Sequence, residues 1–300
     1  MDNKWNWNMD EKTENIYKNL CNQIEKVFSH TRQCSIKTRH RYMDGVKHFA
    51  KFLAEEFKKQ NLNKIKSKHL LEYVEQMQEW GYSKSYVTTN LSAVRYFIDI
   101  MGGESNKLPS NKELSVDIRT KGDRIGANRA WRVEEVQRFI EFAESVGQNK
   151  YADMVRVGWA YGLRIHEVTR LNKNDLFNAL AEKELTVKGK GGLIRTIPLH
   201  DVDLIKKLYN ATPVGEKVFV KTNEKTHHVI NNLQNYIIRH QEKFVITVET
   251  NRSFHGLRHA YAQRRYQELV DIGYIDRNAR IKVSRELGHF RIEITEIYLK

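Results

Sequence analysis

The chain is short of several things, and each shortage removes a class of answers. It has two cysteines, Cys21 and Cys34, in 300 residues. Two thiols make no disulfide framework and lack metal-ligand spacing, which excludes a stapled secreted scaffold and a structural zinc. Only three prolines interrupt it, and the helix-rich composition points to a mainly α protein. There is no long apolar run and no basic amphipathic anchor, so no membrane partner is expected. The opening residues, "MDNKWNWNMDEK", are polar and mildly acidic, unlike a signal or transit peptide, and a reducing cytoplasm is the expected setting. Acidic residues are also scarce: 37 Asp+Glu stand against 51 Lys+Arg, a net charge of +14. Such an excess calls for a polyanion, nucleic acid first, although a solvated basic surface would carry the same charge.

What is present is enough apolar material for two cores. A 40% hydrophobic fraction over 300 residues suits two domains better than one. The first hundred residues read as four helices. One runs from about Glu11 to Phe28. A second, "KTRHRYMDGVKHFAKFLAEEF", places Tyr42, Val46, Phe49 and Leu53 on one face. The third, "SKHLLEYVEQMQEWG", starts at a Ser67 cap and stops at Gly81. The fourth stacks Val87, Leu91, Val94, Ile98 and Met101 before Gly102 and Gly103. Each has one apolar stripe, so residues 1–103 are expected to form a small helical bundle. Lys37, Arg39, Arg41, Lys84 and Arg95 fall on the leftover faces, as phosphate contacts or as solvated cations. Residues 104–130 lose all periodicity and read as an interdomain linker, basic at Arg119, Lys121 and Arg124. From 131 to 300 the pattern is again helical, except for "ELTVKGKGGLIRTIPLH", which reads as a β-hairpin.

Four features in this second half could carry chemistry. In "YGLRIHEVTRL", Gly162 ends a helix and Arg164 opens the next. Glu167, three residues on, lies on the same face and can orient the guanidinium. Lys190 stands at the hairpin tip between glycines, which allow close backbone approach. His255 and Arg258 in "SFHGLRHAY" are co-facial on a helix. His289 follows a glycine at a helix end, and Tyr298 sits on the next short helix. Alone, each is as readily an ordinary surface feature.

Together and in this order they resemble the tyrosine recombinases, or phage integrases. The matching motifs are "GLRIHEV", "KGKGG", "HGLRH", "LGH" and the terminal tyrosine, with the usual nine-residue spacing from His289 to Tyr298. The resemblance covers residues from about Trp131 to the end, and more loosely the N-terminal bundle as a core-binding domain. It implies a mainly α fold, a four-helix core-binding bundle followed by an α-rich catalytic domain with a small hairpin.

The resemblance also implies a reaction. Tyr298 attacks a DNA phosphorus, forms a 3′-phosphotyrosine and is displaced by a 5′ hydroxyl of another strand. Arg164 and Arg258 clamp the non-bridging oxygens, and His255 and His289 donate to them. Tyrosine ordinarily ionises near pH ~10, so a base is needed, and His255 is suited to it. The leaving oxygen needs an acid, a role the family gives to the hairpin lysine. Lys190 fits that motif, with Lys188 its rival. Glu167 stands behind them. No cofactor and no metal is required, and no carboxylate cluster offers a metal site. The implied partner is double-stranded DNA bearing a specific recombination site, bound by a homo-tetramer assembled on two sites. The implied setting is the DNA of a bacterial, phage or archaeal host, for integration or excision of a mobile element or resolution of DNA dimers. Many relatives extend past the tyrosine with a segment that docks on the neighbouring subunit. Here only Leu299 and Lys300 follow, so either the chain stops short of that segment or subunits couple through other surfaces. A type IB topoisomerase shares the constellation but relaxes supercoils. A non-catalytic DNA-binding protein would keep the charge without reason to keep the six polar residues in order.

Overall fold

The computed structural model describes residues 9–31, 34–63, 65–114, 116, 128–189, 192–246, 251–289 and 296–299. The chain splits into two units, Met1–Asp123 and Arg124–Lys300. As the sequence leads one to expect, the first is a helical bundle, and the second is α-rich with a small hairpin.

The first unit holds α1 (Glu11–Ser29), α2 (Ile36–Phe57), α3 (Ser67–Glu79) and α4 (Lys84–Ile100). Asp10 caps α1 by accepting from the Thr13 backbone N–H at 2.7 Å. Ser35 and Ser83 do the same for α2 and α4, each satisfying a donor that the helix leaves unpaired. Ile16, Leu20, Ile24 and Phe28 bury one stripe of α1 in a core shared with Val46, Phe49 and Leu53 of α2 and Val87, Leu91 and Val94 of α4, with α2 packed on both α1 and α4. The expected Ser67 cap is corrected. Lys66 is the N-cap residue of α3, and the His69 Nδ1 accepts from its backbone N–H at 2.8 Å. The imidazole, seated edge-on against Phe57, supplies the backward-reaching acceptor of a capping box. The chain does not leave the bundle at Gly103. A short turn over Ser105–Lys107 follows, Leu108 packs on the core, and Leu114 and Val116 are buried in it. Arg95 holds this segment, donating to Asn111 Oδ1 and to the Pro109 carbonyl, both at 2.7 Å.

The second unit contains α5 (Val133–Ser145), α6 (Asn149–Tyr161), α7 (Ile165–Val168), α8 (Lys173–Glu182), β1 (Glu184–Lys188), β2 (Ile194–Pro198), α9 (Val202–Ala211), α10 (Thr226–Arg239), α11 (Gln241–Phe244), α12 (Phe254–Asp271) and α13 (Asp276–Glu286). The strands pair antiparallel, from Glu184 opposite Pro198 to Lys188 opposite Ile194. Leu185, Val187, Arg195 and Ile197 are the buried positions, as the two-residue period of a strand requires. Helix α6 packs on both α5 and α12, α8 covers β1, and α13 packs on β2. Trp131 stacks on Phe244, ring centroids 4.8 Å apart, and meets Phe139 edge-on. Among the described residues, no helix is long and apolar enough to cross a membrane.

Candidate active site

Helix α6 stops at Gly162 because the backbone turns left-handed there, at φ +60°. A Cβ at this position would lie 2.5 Å from Tyr261 Cδ1, so glycine is required by conformation and by space. The turn delivers Arg164 as the N-cap residue of α7. Glu167, fully buried, accepts from the Arg164 backbone N–H at 2.7 Å and from its Nη1 at 3.0 Å. Burial opposes the Glu167 charge. The hydrogen bonds and charge of Arg195, the Arg164 N–H and the charge of Arg258 outweigh it and hold the carboxyl at about 2.

The start of α12 is fixed from three sides. Trp131 Nε1 donates to the Ser253 carbonyl at 2.8 Å. Arg252 makes a buried two-bond pair with Glu135, and Arg252 and Gln241 exchange bonds through backbone and amide. Helical spacing then presents His255, Arg258 and His259 together. Arg258 is wholly buried. It donates to the carbonyls of Gly162 and Leu287, and its Nη2 lies 3.2 Å from His289 Nε2. Its Nε has no hydrogen-bond partner among the described residues. Burial first, then repulsion from Arg164, lowers its pKa to about 10, which leaves it charged at neutral pH.

Helix α13 ends at Gly288, φ +68°, and the turn presents His289, whose backbone N–H donates to Ser284 O. Burial and the charges of Arg258 and Arg164 push His289 down to about 4. His259, buried, falls to about 4 for the same first reason, with the neighbouring His255 ring contributing next. His255 stays open to solvent on one side, and burial of the rest, with Arg258 and Arg164, pushes it in the same direction.

Tyr298 lies in a turn over 296–298 and is 7% exposed. Its hydroxyl is 3.4 Å from His255 Nε2, long for a hydrogen bond. Its ring centroid is 4.4 Å from that of His259 and 5.5 Å from that of His289, with Arg258 Cζ 5.8 Å away. The short helix expected to carry it falls largely on residues 290–295, outside the described residues.

The structure therefore brings together Arg164, Glu167, His255, Arg258, His289 and Tyr298. Lys190 lies outside the described residues. Its rival Lys188 ends β1 on the exposed face. Tyr261 is occupied elsewhere, donating to Glu286 at 2.7 Å. In the first unit Lys37 is exposed and Lys84 partly so. Arg39 donates to the Thr31 carbonyl. Arg41 donates to Asn90 Oδ1 at 2.8 Å and lies over the Tyr86 ring, whereas Arg95 is committed to the segment after α4. Arg119, Lys121 and Arg124 lie outside the described residues. Sequence reasoning missed Arg195 and His259. Arg195 had a signal: it is two residues before the inward Ile197, so the strand period turns an arginine into the core.

The C-terminal residues 130–300 match the phage integrase family model, and residues 23–101 match that of the phage integrase N-terminal SAM-like domain. The chain belongs to the phage integrase family, the tyrosine-type site-specific recombinases. A tyrosine recombinase XerC from Natranaerobius thermophilus is 26% identical over 263 residues, covering 82% of each chain. Among solved structures, a lambda integrase dimer bound to a COC′ core site superposes with TM-score 0.65 at 14% identity, over 98% of this chain and 82% of that one. A Tn1549 transposon integrase in complex with transposon right-end DNA gives TM-score 0.61 at 16% identity, over 93% and 94%.

Proposed function

We propose that this protein cuts and rejoins DNA at specific sites through a covalent 3′-phosphotyrosine. The observation that carries the reading is the convergence of one hydroxyl, two histidines and two arginines: Tyr298, His255, His289, Arg258 and Arg164. With the histidines neutral, Arg164, Arg195 and Arg258 against Glu167 leave this site with surplus positive charge, which suits a phosphate. The buried Arg258 Nε, without a partner among the described residues, is a donor available to an acceptor.

The Tyr298 oxygen attacks the phosphorus and its proton passes to His255. The bond to the 5′ oxygen breaks, and Lys190 protonates that oxygen. Arg164, Arg258 and His289 stabilise the charge on the non-bridging oxygens. Attack by a 5′ hydroxyl from another strand reverses the step, so one phosphoester replaces another and no nucleotide is consumed. Burial, and then the charges of Arg258 and Arg164, depress His255; a bound phosphate brings negative charge beside it and so raises its affinity for the Tyr298 proton. Exchange between two duplexes breaks four strands, one per active site, which calls for a homo-tetramer. The helical bundle, with the segment to Val116 that packs on it, serves as the core-binding domain, and residues 131–300 serve as the catalytic domain. The product is integration or excision of a mobile element, or resolution of DNA dimers.

Crosslinking the protein to DNA in its host and sequencing what is recovered supplies the site. On a nicked suicide substrate carrying that site, the protein should form a covalent adduct and Tyr298→Phe should form none while binding equally well. An adduct that survives in Y298F assigns the nucleophile elsewhere. Joined products from two separate duplexes distinguish a recombinase from an enzyme that only relaxes supercoils.

A further inference from the structure

Arg195 is 5% exposed at the side chain and sits where a strand should carry an apolar residue. It takes both oxygens of Glu167, Nη1 to Oε1 and Nη2 to Oε2, each at 2.8 Å. Its Nε donates to the Glu286 carbonyl at 2.7 Å, at the end of α13. Arg164 is left with the lesser share of the same carboxylate through its side chain, a single contact from Nη1 to Oε1 at 3.0 Å.

We infer that Arg195 is a positioning residue that keeps the Arg164 fork open for the phosphate and fixes the turn that carries His289. The inference rests on the reading that Arg164 and His289 contact a scissile phosphate. A carboxylate and a guanidinium prefer a planar, two-bond pair. With one carboxylate and two guanidiniums, only one arginine can have it. Arg195 does, and Nε and Nη2 of Arg164 remain unengaged among the described residues. Remove Arg195, and the buried Glu167 has one remaining partner of that shape. The Arg164 fork then closes on it and is lost to DNA.

The same side chain sets the other edge of the site. A Cβ at Gly288 would stand 2.9 Å from Arg195 Cδ, and one at Gly189 would stand 3.3 Å from Arg195 Nη1 and 3.2 Å from Glu167 Oε1. The residue before His289 and the residue at the mouth of the hairpin turn are thus both packed around this one ion pair. Arg195 ties α7, the hairpin and the end of α13 together at fixed separations.

A buried ion pair can also serve stability alone, and the test separates the two roles. Single-turnover adduct formation on the nicked substrate is measured beside DNA affinity and thermal melting, for the unmodified protein and for Arg195→Lys, Arg195→Met, Glu167→Gln and Glu167→Gln/Arg195→Met. In folded Arg195→Lys and Arg195→Met, adduct formation should slow by about 100-fold, the scale of one transition-state donor, while the DNA dissociation constant changes by less than about threefold. The double variant should be faster than Arg195→Met by about tenfold, because a neutral amide does not capture the Arg164 fork by charge. That non-additivity is the signature of shared function. Should Arg195→Met fail to fold, the same comparison is made with Arg195→Lys in the presence and absence of Glu167→Gln. Adduct formation within threefold of normal in the folded Arg195 variants overturns the inference, as does a double variant no faster than the single. An unmodified protein that forms no adduct sinks the recombinase reading itself, and this inference with it. A normal adduct with unaffected Arg195 variants sinks only the inference.

Discussion

Arg258 and Tyr298 fail differently when replaced. Tyr298→Phe removes one oxygen from a ring that stays packed on His259. Arg258→Lys keeps the charge but cannot reach two carbonyls and a phosphate at once, so adduct formation should drop by at least about 100-fold, read as a single-turnover rate. Near-normal cleavage by the lysine variant would remove Arg258 from the site. The histidines give a pH signature. His259 and His289 titrate at about 4 in the folded protein against a usual 6.5. Between these values the unfolded chain holds more protons, so their contribution to stability is full above about 6.5 and is lost as pH falls toward 4. Glu167, at about 2 against a usual 4.5, adds a loss as pH falls from about 4.5 toward 2. The melting temperature of the DNA-free protein should therefore decline from pH 7 to pH 4. His259→Phe, which keeps an aromatic ring at that position, should reduce the slope between 6.5 and 4, a window shared with His289, His255, His48 and His69. An unchanged slope in that variant would contradict the assignment to His259.

At the scale of elements, the left-handed turn at Gly162 joins two parts of the site, since it ends α6, places Arg164 and offers its carbonyl to Arg258. Gly162→Ala adds strain at φ +60° and a clash with Tyr261. It should destabilise by about 1–3 kcal/mol, measured by denaturant melting. A variant as stable as the parent would show that Tyr261 can move aside. This turn was readable in advance, because glycine followed by Arg-x-x-Glu is a helix stop and start. The helices were readable for a similar reason: each buries a single stripe whose period survives in the letters, as in Ile16, Leu20, Ile24 and Phe28. The α3 cap was misread because an imidazole three residues on replaced the expected hydroxyl. Nor does sequence order show that Arg95 spends its guanidinium on residues 109 and 111, or that His259 lies against Tyr298 thirty-nine positions later, because both depend on which surfaces meet in space.

For the whole molecule, a net charge of +14 predicts DNA binding that weakens steeply with salt, since each neutralised phosphate releases counterions. Arg41 is held in place by Asn90 and Tyr86. If it contacts a phosphate, Arg41→Ala should reduce the log–log salt slope by about one unit with little change in adduct rate at saturation. An identical slope would place Arg41 away from the backbone. Arg258 has a wider consequence. The carbonyls it holds belong to Gly162 and Leu287, the C-cap residues of α6 and α13. Peptide dipoles make a helix C-terminus partly negative, so two helices point their negative ends at one buried guanidinium. Those ends, together with the nearby Glu167 carboxylate, give the wholly buried guanidinium its counter-charge. They also make the candidate site a keystone of the second unit: heating that parts α6 from α13 must disband the arginine site in the same event, so loss of adduct formation and melting of that unit should share one midpoint.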